Sequence, residues 1–378
     1  MRLPRSLARL VQAWKSPTTL LGNDGDAETA RRALPVLTDD PRLPLFVQAD
    51  HGRLSLEGER LCPSVDGAQR EPIRIADVSA VALIGRVEIT TPCLHALMRA
   101  DVPVSWHSRS GWFLGHVTTA QPARLGLRRA QHRMAEDSVR SLQLARPVVA
   151  AKIRATRTLL MRDAKPGPKR DVICALWRLA LDAEAAEEMQ ELLGIEGAAA
   201  SIWFGHFDRL LRSPRLAQHV DWRKVFTGRR ARPATDPVNA ALSFCYALLT
   251  RTLTVAASAR GLEVGLGFLH VPRAGRPALA LDLMEPFRPI LADRCVLTAF
   301  NRGALTASHF EDADDAVRLT SEGRRILIDA FETRLGQAWH HPTYDCQLTW
   351  RQWLWVQPSL LADCLEGRRS DFPQPVIR

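Results

Sequence analysis

The sequence contains few cysteines, no CxxC pair and no long apolar run. Its seven cysteines are spread from Cys62 to Cys364, an odd number at wide spacing. This pattern favours reduced thiols and argues against a disulfide scaffold or a thiolate zinc site. No apolar segment approaches the roughly 20 residues that a membrane-spanning helix requires. We therefore expect a globular protein of the cytoplasm.

Several common catalytic motifs are also missing. No GxxxxGK[ST] segment occurs and no GxGxxG follows a strand, so the sequence gives no support to nucleotide hydrolysis or dinucleotide redox chemistry. Ser110 and Ser243 lack the setting of a nucleophile elbow. His340, His341 and Cys346 supply at most part of a zinc site, because no second cysteine pair completes it. There is no internal repeat and no low-complexity tract.

Acidic residues are outnumbered by basic ones. Lys and Arg together number 51 and Asp and Glu 41, which gives a net charge of +10 and a sequence pI near 9.8. Charge of this size favours a polyanionic partner. A charge run is usually a solvated face, but three such runs share the helical part of the chain with the candidate site residues, which favours nucleic acid. The runs contain Arg124, Arg128, Arg129 and Arg133; Lys152, Arg154, Arg157, Arg162, Lys165, Lys169 and Arg170; and Arg223, Lys224, Arg229, Arg230 and Arg232.

The hydrophobic pattern divides the 378 residues into regions of different character. Residues 1–21 resemble a transit peptide only superficially. Residues 1–44 are interpreted as a basic, weakly ordered N-terminal arm. Residues 45–120 contain short apolar runs of strand length, with hairpin breaks predicted at 50–52 and 57–59 and one helix capped by Thr91. Residues 125–345 have helical periodicity, and 346–378 form a C-terminal tail. The predicted fold class is α+β, a small N-terminal β-rich domain joined to a larger all-α C-terminal domain.

Within the helical region, apolar spacing predicts helices over 125–146, 147–163, 172–193 and 195–211. The segment AKPGPKR at 164–170 is a break, and 212–235 is an Arg- and Pro-rich loop. Asp236 and Pro237 are typical of a helix start, and Gly261 of a helix end.

The segment LALDLMEPFRP, residues 279–289, places two acids three residues apart. On a helix these carboxylates share one face and repel each other unless a cation or a basic neighbour compensates. Asp282 could cap a helix or bind a metal, and the two roles are compatible. Glu285 is the better ligand candidate, because an acid one turn into a helix and directly before a proline has no capping function. Arg288 could neutralise the acids or hold a phosphate.

Two further candidates lie upstream. His270 ends the run GLEVGLGFLH and is either a hydrogen-bonded turn residue or a metal ligand. The ligand role is open because the loop that follows is long enough to bring Glu285 beside the histidine. Glu196, in GIEG, either favours the macrodipole at a helix start or is a ligand whose small neighbours leave room for another group. Trp203 and Tyr246 could stack on bases or belong to the core.

The segments GRRARPATDPVNAALSFCYALL, GLEVGLGFLH and LALDLMEPFRPILADR, in this order, resemble the signature of the CRISPR-associated integrase, the first Cas protein family, which inserts new spacers into CRISPR arrays. The resemblance covers about residues 45–339 and includes the β-rich start, PLFVQADHGRLSLEGERL. It implies a β-rich dimerisation domain over 45–120 and an α-helical catalytic, DNA-binding domain over 125–345. Residues 1–44 have no place in the minimal family. Some relatives carry a cysteine-cluster nuclease upstream, and this arm lacks that cluster.

The resemblance also implies a site and a reaction. Catalytic and metal-binding residues would be Glu196, His270 and Glu285, with Asp282 as the adjacent acid; DNA-binding candidates are Arg230, Arg232, Asn239, Tyr246 and Arg288. Two carboxylates and an imidazole without a thiolate suit Mg²⁺ or Mn²⁺. The expected protein is a metal-dependent DNA integrase and endonuclease in which a 3′-hydroxyl attacks a phosphodiester. Expected partners are double-stranded DNA of the spacer precursor and repeat, a second copy in a homodimer, and a small ferredoxin-like second Cas protein. The alternatives are a non-catalytic basic DNA-binding scaffold and a branched-DNA resolving nuclease.

Overall fold

The N-terminal part of the described chain is a mixed β-sheet. The computed structural model describes residues 43–107, 113–117, 125–165, 167–212, 226, 228–230, 233–313, 316–341 and 346–377. The strands are β1 (Leu43–Glu57), β2 (Arg60–Val65), β3 (Ala68–Gln69), β4 (Ile73–Arg74), β5 (Val78–Ile89), β6 (Val104–His107) and β7 (Phe113–Val117). Their order is β3-β2-β1-β5-β6-β7, with β4 also paired to β2. β1, β5 and β6 run parallel, and helix α1 (Thr91–Arg99) makes the crossover that the parallel pair β5 and β6 needs.

One of the two predicted hairpins is wrong. β1 continues through 50–52, and its register against β5 shifts between Ala49 and Gly52. A Cβ at Gly52 would lie 2.8 Å from the Cβ of Ala49, so this irregularity requires glycine. A bulge thus absorbs the polar residues that resembled a turn. The second break is a hairpin, with Gly58 at φ 58° between β1 and β2.

The rest of the described chain is mainly helical, which confirms the α+β class. The helices are α2 (Leu125–Glu136), α3 (Ser138–Asp163), α4 (Arg170–Ala185), α5 (Met189–Gly205), α6 (Pro237–Ala259), α7 (Ala278–Met284), a π-helical segment (Arg288–Asp293), α8 (Arg294–Asn301), α9 (Ser321–Leu335) and α10 (Trp350–Leu365). Two small hairpins interrupt this region: β8 (Phe310–Ala313) with β9 (Ala316–Leu319), and β10 (Ala338–His341) with β11 (Cys346–Thr349). The region is therefore not all-α.

Several helix boundaries differ from prediction. Pro147 does not start a helix but lies inside α3, which begins after Asp137, whose carboxylate accepts the Val139 and Arg140 backbone N–H groups. Gly194 lies within α5 and does not separate two helices. The start of α6 is as predicted, because the Asp236 carboxylate caps the helix and Pro237 follows.

The predicted C-terminal tail differs most. Residues 346–378 include β11, which pairs with β10 across the predicted boundary, and helix α10, whose Trp353 is fully buried. The Trp350 ring stacks on Trp339 of β10 at 4.6 Å between centroids. This segment is thus part of the helical core.

Helix α6 runs through the middle of the helical region. By length and composition it could cross a membrane, but 78% of its most apolar window is buried, which identifies it as a core helix. Its Val255 and Ala259, together with Trp355 of α10, pack on Ala80 and Ala82 of β5. These small alanines allow the sheet and the helices to approach closely.

Candidate active site

Asp282 holds the His270 segment in place. It is fully buried in the last turn of α7, which begins after Pro277, so Asp282 is not the cap of that helix. One carboxylate oxygen accepts the backbone N–H groups of Phe268 and Leu269, at 2.6 and 2.9 Å. The other accepts the His270 backbone N–H at 2.9 Å and lies 2.6 Å from His270 Nδ1.

The hydrogen bond to Asp282 fixes which imidazole nitrogen of His270 remains for chemistry. Because Nδ1 donates to the carboxylate, Nε2 is the ring nitrogen left for chemistry, and it lies 4.0 Å from Glu285 Oε1. A carboxylate behind an imidazole is the arrangement that orients histidine ligands in metal sites. Burial raises the pKa of Asp282, although the bonds from His270 and Leu269 oppose the rise. Asp282 therefore positions the histidine and has no free face for a metal.

Glu285 is the charged centre of the site. Lys152 of α3 donates to its Oε2 at 2.5 Å, and Arg288 donates to Oε1 at 2.8 Å and Oε2 at 3.2 Å. Burial alone would raise the pKa of Glu285, but Arg288, Lys152 and His270 outweigh it and hold the pKa at about 2. The Glu285 carboxylate is thus ionised at neutral pH.

Glu196 reaches the same lysine from a different helix. It lies in the middle of α5, seven residues after Met189, so the helix-start interpretation of its charge does not apply. Its Oε1 accepts a hydrogen bond from Lys152 Nζ, which therefore touches both carboxylates. The structure brings Glu196, Glu285 and His270 to one place, although 74 positions separate Glu196 from His270 in sequence.

The donor chemistry of this cluster fits a hard divalent cation. It offers carboxylate oxygens and one imidazole nitrogen without thiolates, the set suited to Mg²⁺ or Mn²⁺. Yet within the described ranges no three His, Cys, Asp or Glu side chains are close enough as placed to coordinate one ion. The ammonium of Lys152 lies between the two acids. Glu196, His270 and Glu285 stay the predicted ligands of this ion.

Beside the acids, two arginines lie against one tyrosine ring. The guanidinium of Arg288 lies 4.2 Å from the ring centroid of Tyr246, and that of Arg229 lies 5.3 Å from it. The Tyr246 hydroxyl donates to Asp293 at 2.5 Å, and Trp203 Nε1 donates to the other oxygen of Asp293 at 2.9 Å. Cations stacked on an aromatic face are held in defined positions, so these arginines form a preorganised positive wall.

The predicted DNA-binding residues separate into different roles. Asn239 is fully buried, and its amide binds Gly228, Arg229, Arg230 and Asp236. It therefore shapes the 228–230 segment and has no surface for DNA. Arg230 is exposed, and its DNA contact stays a prediction, as do those of Arg288 and Tyr246.

Three predictions fall wholly or partly outside what the structure describes. Arg232 lies outside the described residues, as does the N-terminal arm up to residue 42. For the partial zinc site, His341 and Cys346 pair as backbone partners of β10 and β11, but their side chains are not among those described.

Sequence reasoning missed three residues of this site. Lys152 and Arg229 belong to the basic runs, which the sequence does not assign to the site. The apolar residues one turn from Lys152, Val149 and Ala155, nevertheless indicate a buried helix face. Asp293 follows the apolar run PILA and so continues a buried segment. The signal in each case is a charge among apolar residues, which requires a partner when buried.

Asp293 predicts a measurable dependence of stability on pH. Burial raises its pKa from 3.8 to about 6, against the opposing bonds and charges of Tyr246, Arg288 and Trp203. Its contribution to stability is present below pH 4 and is lost as pH rises through 6, a loss of about 3 kcal/mol. In Asp293→Asn, the amide can accept from Trp203 and donate to Tyr246 but does not titrate. We expect the free energy of unfolding of the variant, relative to the native protein, to rise by about this amount between pH 4 and 7. Urea unfolding at each pH measures it, and parallel pH curves for the two proteins would contradict the assignment.

Comparisons with known proteins agree with this geometry. A family model described as "CRISPR associated protein Cas1" matches residues 45–333. A Cas4/Cas1 fusion of Rhodospirillum rubrum is 41% identical over 337 residues, which are 88% of this chain and 57% of that protein. The chain thus spans less than two thirds of the length of that fusion. "CRISPR-associated endonuclease Cas1 1" of Thermus thermophilus is 40% identical over 300 residues, covering 79% of this chain and 89% of the relative.

A solved structure is similar over most of the described chain. In the partial Cas6-RT-Cas1–Cas2 complex, one chain matches with a TM-score of 0.66 and 25% identity, over 89% of this chain and 100% of that one. The matched share includes both the sheet and the helices.

Proposed function

The chain belongs to the CRISPR-associated Cas1 family, and from this premise we propose that it is a divalent-metal-dependent DNA integrase and endonuclease that inserts short duplexes, the new spacers, into a CRISPR array. The observation that carries the proposal is the convergence of Glu196, His270 and Glu285 beside the Arg288 and Tyr246 stack. A net charge of +10 supports a DNA substrate.

The proposed reaction is a transesterification. The 3′-hydroxyl oxygen of the incoming duplex forms a new bond to a phosphorus of the repeat strand. The bond between that phosphorus and the 3′ oxygen of the preceding nucleotide breaks. The attacking hydroxyl loses a proton and the leaving oxygen gains one, so the number of phosphodiester bonds is conserved. Attack by water in place of the hydroxyl gives hydrolysis, the endonuclease activity.

The residues of the site have distinct parts in this reaction. When bound, Mg²⁺ or Mn²⁺ supplies Lewis-acid stabilisation of the phosphoryl oxygens. Asp282 holds His270 with Nε2 toward Glu285. Arg288 and Arg229 lie against the Tyr246 ring and supply positive charge for the scissile strand. This charge is effective because the two side chains are already oriented before the reaction.

The proposed assembly contains DNA and protein partners. The 25% identical chain comes from a partial Cas6-RT-Cas1–Cas2 complex, which supports the second Cas protein as partner of this chain. We propose that this partner is small and ferredoxin-like. We further propose a homodimer through the β-rich domain, acting in the cytoplasm. The R. rubrum relative is named as a fusion with an exonuclease. The proposed activity is therefore tested with the present chain alone, without the exonuclease part of that fusion.

A strand-transfer assay tests the function. A labelled duplex with free 3′ ends is incubated with a supercoiled plasmid that carries a repeat array, with Mn²⁺, with Mg²⁺ and with a chelator. Joined product is expected with either metal and none with the chelator, and adding back Mn²⁺ in excess should restore it. The triple variant Glu196→Ala, His270→Ala, Glu285→Ala should bind the duplex but form no product.

Three outcomes separate the alternatives. Joining at the normal rate by the triple variant would show that this site is not the active one. DNA binding without joining or cutting in any metal would favour the non-catalytic scaffold. Cutting of branched junctions without any joined ends would favour a resolving nuclease.

A further inference from the structure

Lys152 neutralises the acids that would hold the metal. Its ammonium donates to Glu196 and Glu285, and its side chain is only 12% exposed. Lys152 reaches this position from α3, whose neighbouring Val149, Ile153 and Thr156 are buried. The lysine is thus a buried part of the site and not a surface charge.

Glu285 has no uncommitted oxygen. Oε1 accepts from Arg288 at 2.8 Å, and Oε2 accepts from Lys152 at 2.5 Å and from Arg288 at 3.2 Å. A divalent cation that binds Glu285 therefore has to share an oxygen that already faces a positive charge. At such separations two cations repel strongly inside a protein, so one of the two basic side chains has to give way.

The structure indicates which one moves. The guanidinium of Arg288 lies 4.2 Å from the Tyr246 ring centroid and donates to both oxygens of Glu285, so withdrawing it would break the cation–π contact as well as the ion pair. Lys152 is a point charge on a flexible four-carbon stem, and its described polar contacts are those with the two acids. Rotation of the Lys152 stem is the smaller change.

We propose that Lys152 is an internal competitor of the catalytic divalent cation, which holds Glu196 and Glu285 together and withdraws when the metal binds. The inference rests on the proposed metal-dependent function and adds a determinant of metal affinity to it. Its consequence is a lower apparent affinity of the site for the metal, because each binding event has to displace an ammonium from the two acids.

Calorimetric titration with Mn²⁺ tests the proposal. Lys152→Met, which removes the charge and keeps the length of the stem, should bind Mn²⁺ about tenfold more tightly than the native protein, or tighter still. The matched control is Lys165→Met, which removes the same charge from an exposed position just after α3 and should leave the Mn²⁺ affinity unchanged. The rise in melting temperature on adding Mn²⁺ should likewise be larger for Lys152→Met than for the native protein.

The variant leaves two acids without their lysine and could fold poorly without metal. Lys152→Gln, which is neutral but can still donate to one carboxylate, is the second variant, and it should also bind Mn²⁺ more tightly. Equal or weaker Mn²⁺ binding by both variants, with clear binding by the native protein, would overturn the competitor role and leave the proposed function intact. If neither the native protein nor the variants bind Mn²⁺, the metal-dependent function fails as well.

Discussion

Replacing Glu285 with glutamine is expected to reduce strand transfer by about a thousandfold or more, because the site loses the carboxylate that contacts both of its basic neighbours, Lys152 and Arg288. Glu285 contacts Lys152 and Arg288 directly and lies 4.0 Å from His270 Nε2. Glutamine keeps the shape but offers one neutral oxygen, so the remaining anionic ligand is Glu196. The rate of joining of a labelled duplex under single-turnover conditions measures the effect.

A charge-matched variant shows that the effect is local. Glu311→Gln removes the same charge from an exposed position of β8, and it should join ends at the native rate. Duplex affinity, measured by fluorescence anisotropy at fixed salt, should fall for neither variant, because both make the protein more basic. Strand transfer by Glu285→Gln within a few-fold of native would remove Glu285 from the active site.

The sequence predicts the fold class but not all of its boundaries. Periodicity identifies strands before residue 120 and helices after 125, because burial of one face imposes that pattern. It does not identify the bulge at Gly52 or the continuous helix across Pro147, because both depend on contacts with distant segments. It also misses helix α10, whose many tryptophans are apolar on more than one face and therefore give no clear stripe.

The site shows the same division. The family resemblance of three short motifs implies Glu196, His270 and Glu285. The residues alone favour Glu285 but leave Glu196 and His270 open between a structural role and metal binding. The role of Asp282 depends on a loop that folds back 12 residues to place His270 Nδ1 on its carboxylate. Lys152 lies 133 residues before Glu285, and no local pattern relates the two. Tertiary contacts therefore decide which charges are paired.

Gly267→Ala is expected to lower strand transfer about a hundredfold by shifting His270, because displacing a catalytic group by about 1 Å can have an effect of that size. A Cβ at Gly267 would overlap Asp282 Oδ2 and would lie 3.1 Å from the carbonyl carbon of Ala278. The Asp282 carboxylate cannot swing away, since it accepts the backbone N–H groups of Phe268, Leu269 and His270. The added methyl group has to push the histidine segment off the acid, at an overpacking cost of about 1–3 kcal/mol in the free energy of unfolding.

Gly265→Ala is the matched control in the same segment. There the nearest atom to an added Cβ is Glu263 Oε1, at 3.8 Å, an ordinary van der Waals contact. Gly265→Ala should therefore keep native stability and native strand transfer, whereas Gly267→Ala loses both. Thermal melting and the single-turnover joining assay, run on the two variants side by side, measure the difference. Equal behaviour of the pair would show that the contact between Asp282 and the His270 segment does not position the histidine, because the two substitutions differ only in whether the methyl group meets that carboxylate.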